Sequence, residues 1–177
     1  MLNKYVFRKY NPKYKLFFLK EKRNLVGSLG KIIGVRHVGS TAVKGLGGKG
    51  IVDILVGVKT KVIRRLIPKL EKASYEYRKK ASTPQRLFFR KDYKQGKSFR
   101  RVHIHLTRLG GKDWREIIAF KNFLLENPLE AKKYGRLKRE AILKAKGDGD
   151  MYKNLKKRFI EANIKKHLSK KSKPFKN

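Results

Sequence analysis

The order of segments in this chain predicts a single α+β domain. β-prone runs crowd the part before Gly110-Gly111, a helical pattern fills the part after it, and one apolar complement is sufficient for one core. At 177 residues the chain suits one well-packed domain rather than two. Hydrophobic residues make up 40% and aromatics 11%, so the high charge does not imply disorder.

Taken in order, Tyr5-Val6-Phe7 reads as a short strand ending at a turn, Asn11-Pro12. Lys13 to Leu29 follows as a helix, with Leu16, Phe17, Leu19, Leu25 and Leu29 at helical spacing. Lys31 to Val38 reads as a second strand and Ile51 to Val58 as a third, whose near-continuous β-branched content suits burial on both faces. Thr60 to Ala73 reads as a helix capped by Thr60 and kinked at Pro68. Tyr75 to Lys79, Arg86 to Lys91 and Arg100 to Thr107 alternate with period two and predict an antiparallel meander, turning at Ser82-Thr83-Pro84 and again over Asp92 to Ser98.

The last third reads as helices over Asp113 to Asn127, Leu129 to Lys146 and Asp150 to Leu168, broken at Asn127-Pro128 and Gly147-Asp148-Gly149. Trp114 is the natural core anchor of the first of them. The domain therefore spans 1–168, and 169–177 reads as a basic, mobile tail.

Chemistry concentrates between Arg36 and Val58. Gly39, Ser40 and Thr41 form a small, hydroxyl-bearing turn, a Gly/Lys-rich loop carries Lys44 and Lys49, and Asp53 is the one carboxylate in the apolar run that follows. Glycine lets backbone N–H groups approach an anion, Ser and Thr add hydroxyl donors, and Lys adds charge, so a phosphate is the expected ligand. Gly45, Gly47 and Gly50 spell G-x-G-x-x-G, but the string leads into a strand-like run instead of opening a helix, and no P-loop string occurs. An ionised Asp53 in such a run needs a partner, either a cation or a basic side chain such as Lys49 or an Arg.

Other residues join by periodicity. His103 and His105 share one strand face opposite Val102, Ile104 and Leu106, and with Asp53 they make either a two-His, one-carboxylate metal set or a group of hydrogen-bonding side chains. Arg86 and Arg90 alternate with Leu87 and Phe89, which lets one face present two guanidiniums to a phosphate or carboxylate. Tyr152 and Lys156 are neighbours on the last helix and are candidates to close the pocket.

Lys and Arg number 49 against 13 Asp and Glu, a net charge of +36, which points to RNA or another polyanion as partner or to a solvated, lysine-biased surface. With no cysteine, disulfides and thiolate chemistry are excluded. No apolar run is long enough for a membrane span or signal segment, so a cytoplasmic protein is expected. Oligomeric state is not legible.

His37-Val38-Gly39-Ser40-Thr41, Gly45-Leu46, Lys49 and Ile51 through Val58 closely resemble the signature of the GrpB family of the nucleotidyltransferase superfamily, H-I-G-S-T, a P-G-L turn, A-K-P and I-I-D-I-L-V-G-V. The likeness continues through Arg86-Leu87-Phe88-Phe89-Arg90-Lys91, His103-Ile104-His105-Leu106, Asp113-Trp114, Leu137-Lys138-Arg139-Glu140 and Tyr152. It implies a nucleotidyltransferase-like mixed sheet with flanking helices and a C-terminal helical bundle. It also implies a nucleotide or phosphorylated ligand at Gly39 and Ser40, with His37 beside them, Lys49 and Arg90 neutralising charge, Lys156 closing over the phosphates, and Asp53 positioning Mg2+. Nucleotidyltransferases normally carry a D-x-[DE] pair and a third carboxylate on a later strand. Here Leu55 and the pair His103 and His105 stand instead. The resemblance thus implies a pocket more firmly than nucleotidyl transfer, and a non-catalytic RNA- or nucleotide-binding module is the alternative. Arg36 replaces a family Glu, and Lys44 and Gly50 replace family prolines.

Overall fold

A computed structural model describes residues 6–30, 34–59, 63–95 and 98–171. Its centre is a mixed sheet in the order β1-β2-β5-β4-β3. The strands are β1 (Gly34–Val38), β2 (Val52–Val58), β3 (Glu76–Tyr77), β4 (Arg86–Gln95) and β5 (Ser98–Arg108). Only the β2–β5 pairing is parallel, with Asp53 opposite His103 and Leu55 opposite His105. The expected meander is present as β3, β4 and β5, all antiparallel.

Val52, Ile54, Val56, Val102, Ile104 and Leu106 face one way, into a core closed by α1 (Lys13–Leu29) and α2 (Ile67–Lys72). The opposite face carries Val38, Asp53, Leu55, His103 and His105 and is covered by the bundle of α3 (Lys112–Glu126), α4 (Pro128–Ala145) and α5 (Gly149–Lys171). This two-sided cover explains why β2 is apolar almost throughout. Gly34 and Gly57 are cross-strand partners, and a Cβ on either would strike the Trp114 ring, at 2.7 and 2.5 Å. The glycine pair makes the trough in which Trp114 anchors α3 against Val38 and Leu55.

Several elements differ from the periodicity reading. Of the expected first strand, Val6 and Phe7 are not in a strand, the next residue, Arg8, makes an isolated bridge to Gly48, and Tyr5 lies outside the described residues. The same holds for Lys31 to Ile33, for the Thr60 cap and for residues 96 and 97 of the hairpin turn. The second helix is short: a 3-10 turn at Arg64–Leu66 leads into α2, so Pro68 sits in its first turn and does not kink it. On α1 the stripe turned inward is Tyr14, Glu21, Leu25 and Leu29, while Leu16 and Leu19 are exposed. Buried Glu21 accepts hydrogen bonds from the Tyr75 and Tyr93 hydroxyls at 2.7 and 2.6 Å, which is why an acid takes an inward position.

The β4–β5 hairpin runs on through the expected turn. Its ladder continues to Gln95 opposite Ser98 because Asp92 and Arg101 pair across the strands with two hydrogen bonds of 2.6 and 2.7 Å. At the other end α5 continues to Lys171, past the expected boundary at Leu168, and the rest of the expected tail, 172–177, lies outside the described residues.

Candidate functional site

The site lies on the bundle side of the sheet, at the end of β1, where the chain turns through Gly39 into a 3-10 turn at Ser40–Ala42. Gly39 has φ +70°, and a Cβ there would come within 2.3 Å of Asp53 Oδ2. Glycine is required twice over, for the left-handed backbone and for the close approach of the carboxylate. Asp53 Oδ1 faces His103 Nδ1 at 3.3 Å and His105 Nε2 at 3.5 Å. Burial alone would push the Asp53 pKa up, but the hydrogen bonds from the two histidines outweigh it and hold the carboxyl well below its ordinary 3.8. Burial lowers His103, against the pull of Asp53. Phe88 packs on both imidazole rings, at 4.8 and 5.2 Å between centroids.

A set of lysines gathers beside this carboxylate. Lys138 on α4 is 2% exposed and donates to the carbonyl of Gly47. A Cβ on Gly48 would touch Ser40 Oγ at 2.7 Å and Lys138 Nζ at 3.3 Å, so this glycine leaves room for the hydroxyl and the ammonium to come together. Lys49 and Lys156 hold their ammonium groups 4.2 and 3.9 Å from the centroid of the Tyr152 ring. Burial and the nearby Lys156 bring Lys138 down to about 7, while Asp53 pulls it up. Burial and the Lys49 charge bring Lys156 to about 8, again opposed by Asp53.

Next to these groups opens a cavity of about 500 Å³ between the sheet and the bundle. Gly39, Ser40, Asp53, Arg86 and His105 form its sheet side, and Tyr134 and Ile160 belong to its helical side. The structure therefore brings together Gly39, Ser40, Asp53, His103, His105, Lys49, Tyr152 and Lys156, with Arg86 at the far end.

Other expected site residues lie elsewhere. Thr41 is buried, donates its hydroxyl to the Ile51 carbonyl at 3.1 Å and meets His37 Nε2 at 3.0 Å. His37 itself stacks on Phe18 of α1, on the other face of the sheet, and burial lowers it to about 4, with Asp53 opposing and Lys121 assisting. Lys44 is exposed and lines an outer groove. Arg90 is committed to Glu76 at 2.7 Å and Asp92 at 3.8 Å.

Lys138 is the residue that periodicity missed as functional. The signal was present: it falls in the inward stripe of α4, four residues from Tyr134 and four from Ile142, where a lysine has no structural reason to be. Asp113, Glu116 and Glu161 also line the cavity, and of these Asp113 falls within the family resemblance. Among the described residues no three His, Asp or Glu side chains are gathered so as to hold a metal ion. Asp53, His103 and His105, the expected two-His, one-carboxylate set, stand together with both ring nitrogens directed at Asp53 Oδ1.

The family model described as GrpB protein matches residues 5–166. The chain is 32% identical over 156 residues to the glutamate-rich protein GrpB of Alkalihalophilus pseudofirmus, spanning 86% of this chain and 89% of the relative. It is 31% identical over 121 residues to a UPF0157 protein of Pseudomonas aeruginosa, covering 68% of this chain and 49% of that protein. The crystal structure of the conserved protein GrpB from Enterococcus faecalis superposes with a TM-score of 0.80 at 29% identity, over 95% of this chain and 100% of that one. No helix among the described residues is long and apolar enough to cross a membrane.

Proposed function

Because this chain belongs to the GrpB family, a nucleotidyltransferase-like family, we propose that it binds a nucleotide or other phosphorylated ligand, with the phosphates at Ser40, Lys49, Lys138 and Lys156. The observation that carries this reading is a chain of three lysines, Lys49 near Lys156 and Lys156 near Lys138, of which Lys138 comes up to Ser40. Two of them are shifted far below the ordinary 10.5, Lys138 by burial and the Lys156 charge, and Lys156 by burial and the Lys49 charge. Buried like charges destabilise the free protein, and an anion seated among them relieves that cost. A phosphate group is the expected anion because its oxygens accept from a hydroxyl and several ammonium groups at once.

Transfer of a nucleotidyl group would add a Mg2+ ion, and the residues present do not fit a resident one. Mg2+ takes near-octahedral oxygen ligands, whereas Asp53 has one oxygen toward two imidazoles and the other against Gly39. This geometry favours the non-catalytic binding module over the transferase.

Calorimetric titration with inorganic pyrophosphate and with ATP, each with and without Mg2+, tests the reading. Binding to the wild type should weaken about ten-fold or more in Lys138→Met and in Ser40→Ala with Lys49→Ala, since a hydrogen bond to a charged group contributes roughly 1.5 to 3 kcal/mol. Because bound phosphate favours the charged amines, binding at pH 8 should take up protons, seen as a buffer-dependent heat. Equal affinity in all variants would sink the phosphate site. Pyrophosphate release from Mg2+, nucleoside triphosphates and RNA would restore the transferase reading.

A further inference from the structure

At the Arg86 end of the cavity lie three buried polar atoms without partners, two of them on residues that line it. Arg86 Nε, His105 Nδ1 and Thr107 Oγ1 are buried and make no hydrogen bond. They are neighbours by register: Arg86 lies directly opposite Thr107 across β4 and β5, and His105 precedes Thr107 by two residues on the same face. Thr107 is 1% exposed, and Arg86 and His105 line the cavity wall. Arg90, two residues along the same strand, is paired with acids. The side chain of Arg86 has no such pair among the described residues. A buried polar atom left unpaired is costly, so three neighbours on one sheet face point to a ligand or water that completes them.

The pattern of donors and acceptors narrows that ligand. Arg86 Nε–H can only donate and the Thr107 hydroxyl does either. His105 directs Nε2 at the Asp53 carboxylate, so in the neutral imidazole Nε2 carries the proton and Nδ1 presents a lone pair. A lone pair repels an oxyanion, which argues against a second phosphate or a carboxylate here. It accepts from an N–H, while Arg86 donates to a neighbouring acceptor.

We infer that Arg86, His105 and Thr107 form a specificity subsite for a neutral polar edge that carries a hydrogen-bond acceptor beside an N–H donor, the chemistry shared by nucleobases and carboxamides. The inference deepens the phosphate-site reading and rests on it for the other end of the ligand: phosphate at the lysines, polar edge at Arg86. Along β5 the two ends are separated by the run from His103 to Thr107, roughly 13 Å at the usual rise of a strand.

The test uses the four nucleoside 5′-monophosphates, nicotinamide mononucleotide, ribose 5-phosphate and the unphosphorylated nucleosides as probes, titrated into wild type, Thr107→Val, Thr107→Ser and Arg86→Met. At least one nucleotide should bind about ten-fold more tightly than ribose 5-phosphate, as expected for one two-point edge contact. Thr107→Val and Arg86→Met should reduce that preference, whereas Thr107→Ser, which keeps the hydroxyl, should retain it. A preferred base points to a nucleobase, and preference for nicotinamide mononucleotide points to a carboxamide. Equal binding of all phosphorylated probes by the wild type would overturn the subsite and leave only a structural water at these atoms, with the phosphate site intact. A preference that survives both Thr107→Val and Arg86→Met would also overturn it. Binding of a nucleoside, weakened in Arg86→Met, with no phosphorylated probe bound more tightly, would support the corner and sink the phosphate site.

Discussion

Lys138 shows how a single buried charge can weaken a fold. In an open chain its amine titrates at 10.5, and in the folded protein burial and Lys156 bring it to about 7. Between these values the unfolded chain holds a proton that the folded one does not. Stability should therefore rise as pH goes from 7 toward 10 and be lowest below 7, where folding must accommodate a buried ammonium. Lys138→Met is expected to raise stability at neutral pH, on the order of 2 kcal/mol, and to flatten this pH dependence, as read by urea unfolding at pH 7 and 9.5. Asp53 behaves in the opposite sense. Its carboxyl is held below 3.8, so its contribution is fully present above that pH and is lost only as acid carries the solution down through the folded value. Gly39→Ala should be among the most damaging single changes, because the new Cβ meets Asp53 Oδ2 at 2.3 Å in a left-handed backbone. A loss of roughly 2 kcal/mol or more in urea unfolding is expected, together with weakened pyrophosphate binding.

At the scale of elements, apolar periodicity marked most helices and strands, and it failed where polar contacts across the sheet decide the outcome. The β4–β5 hairpin outran its expected turn because the Asp92 and Arg101 pair lies between strands that are distant from each other only on paper. Inward stripes failed likewise on α1, where Glu21 takes a core position by accepting from Tyr75 and Tyr93. Glu21→Ala should take the carboxylate acceptor from both hydroxyls, that of Tyr75 on a fully buried side chain, and cost about 3 kcal/mol, with Tyr75→Phe adding little further loss in that background. A double-mutant cycle by chemical unfolding reads this coupling, and additive losses would show that the three groups act separately.

The whole molecule carries a charge that its fold does not explain. A relative named as glutamate-rich belongs to the same family, while this chain has 49 Lys and Arg against 13 Asp and Glu. We expect RNA or DNA to bind through phosphates with little sequence preference and an affinity that falls steeply with salt. Removing 172–177 spares α5 and takes away Lys173 and Lys176, so the salt slope should drop by about 1.5 units if each neutralises one phosphate. A slope unchanged between low and physiological salt would make that end of the chain a solvated terminus only. By itself the sequence determined the α+β class, the mixed character of strands and helices, and the small-residue turn with Asp53 behind it, because glycines, hydroxyls and a lone acid in an apolar run are local signals. Tertiary structure decided where each candidate cation stands and what it pairs with. It paired Arg90 with Glu76, kept Arg86 at the cavity wall, sent His37 to the opposite face and brought Lys138 from a distant helix to Ser40. The reason is physical: a charged side chain reads the same on every strand or helix, and only the packing of one element on another settles whether it meets an acid, water or an open pocket.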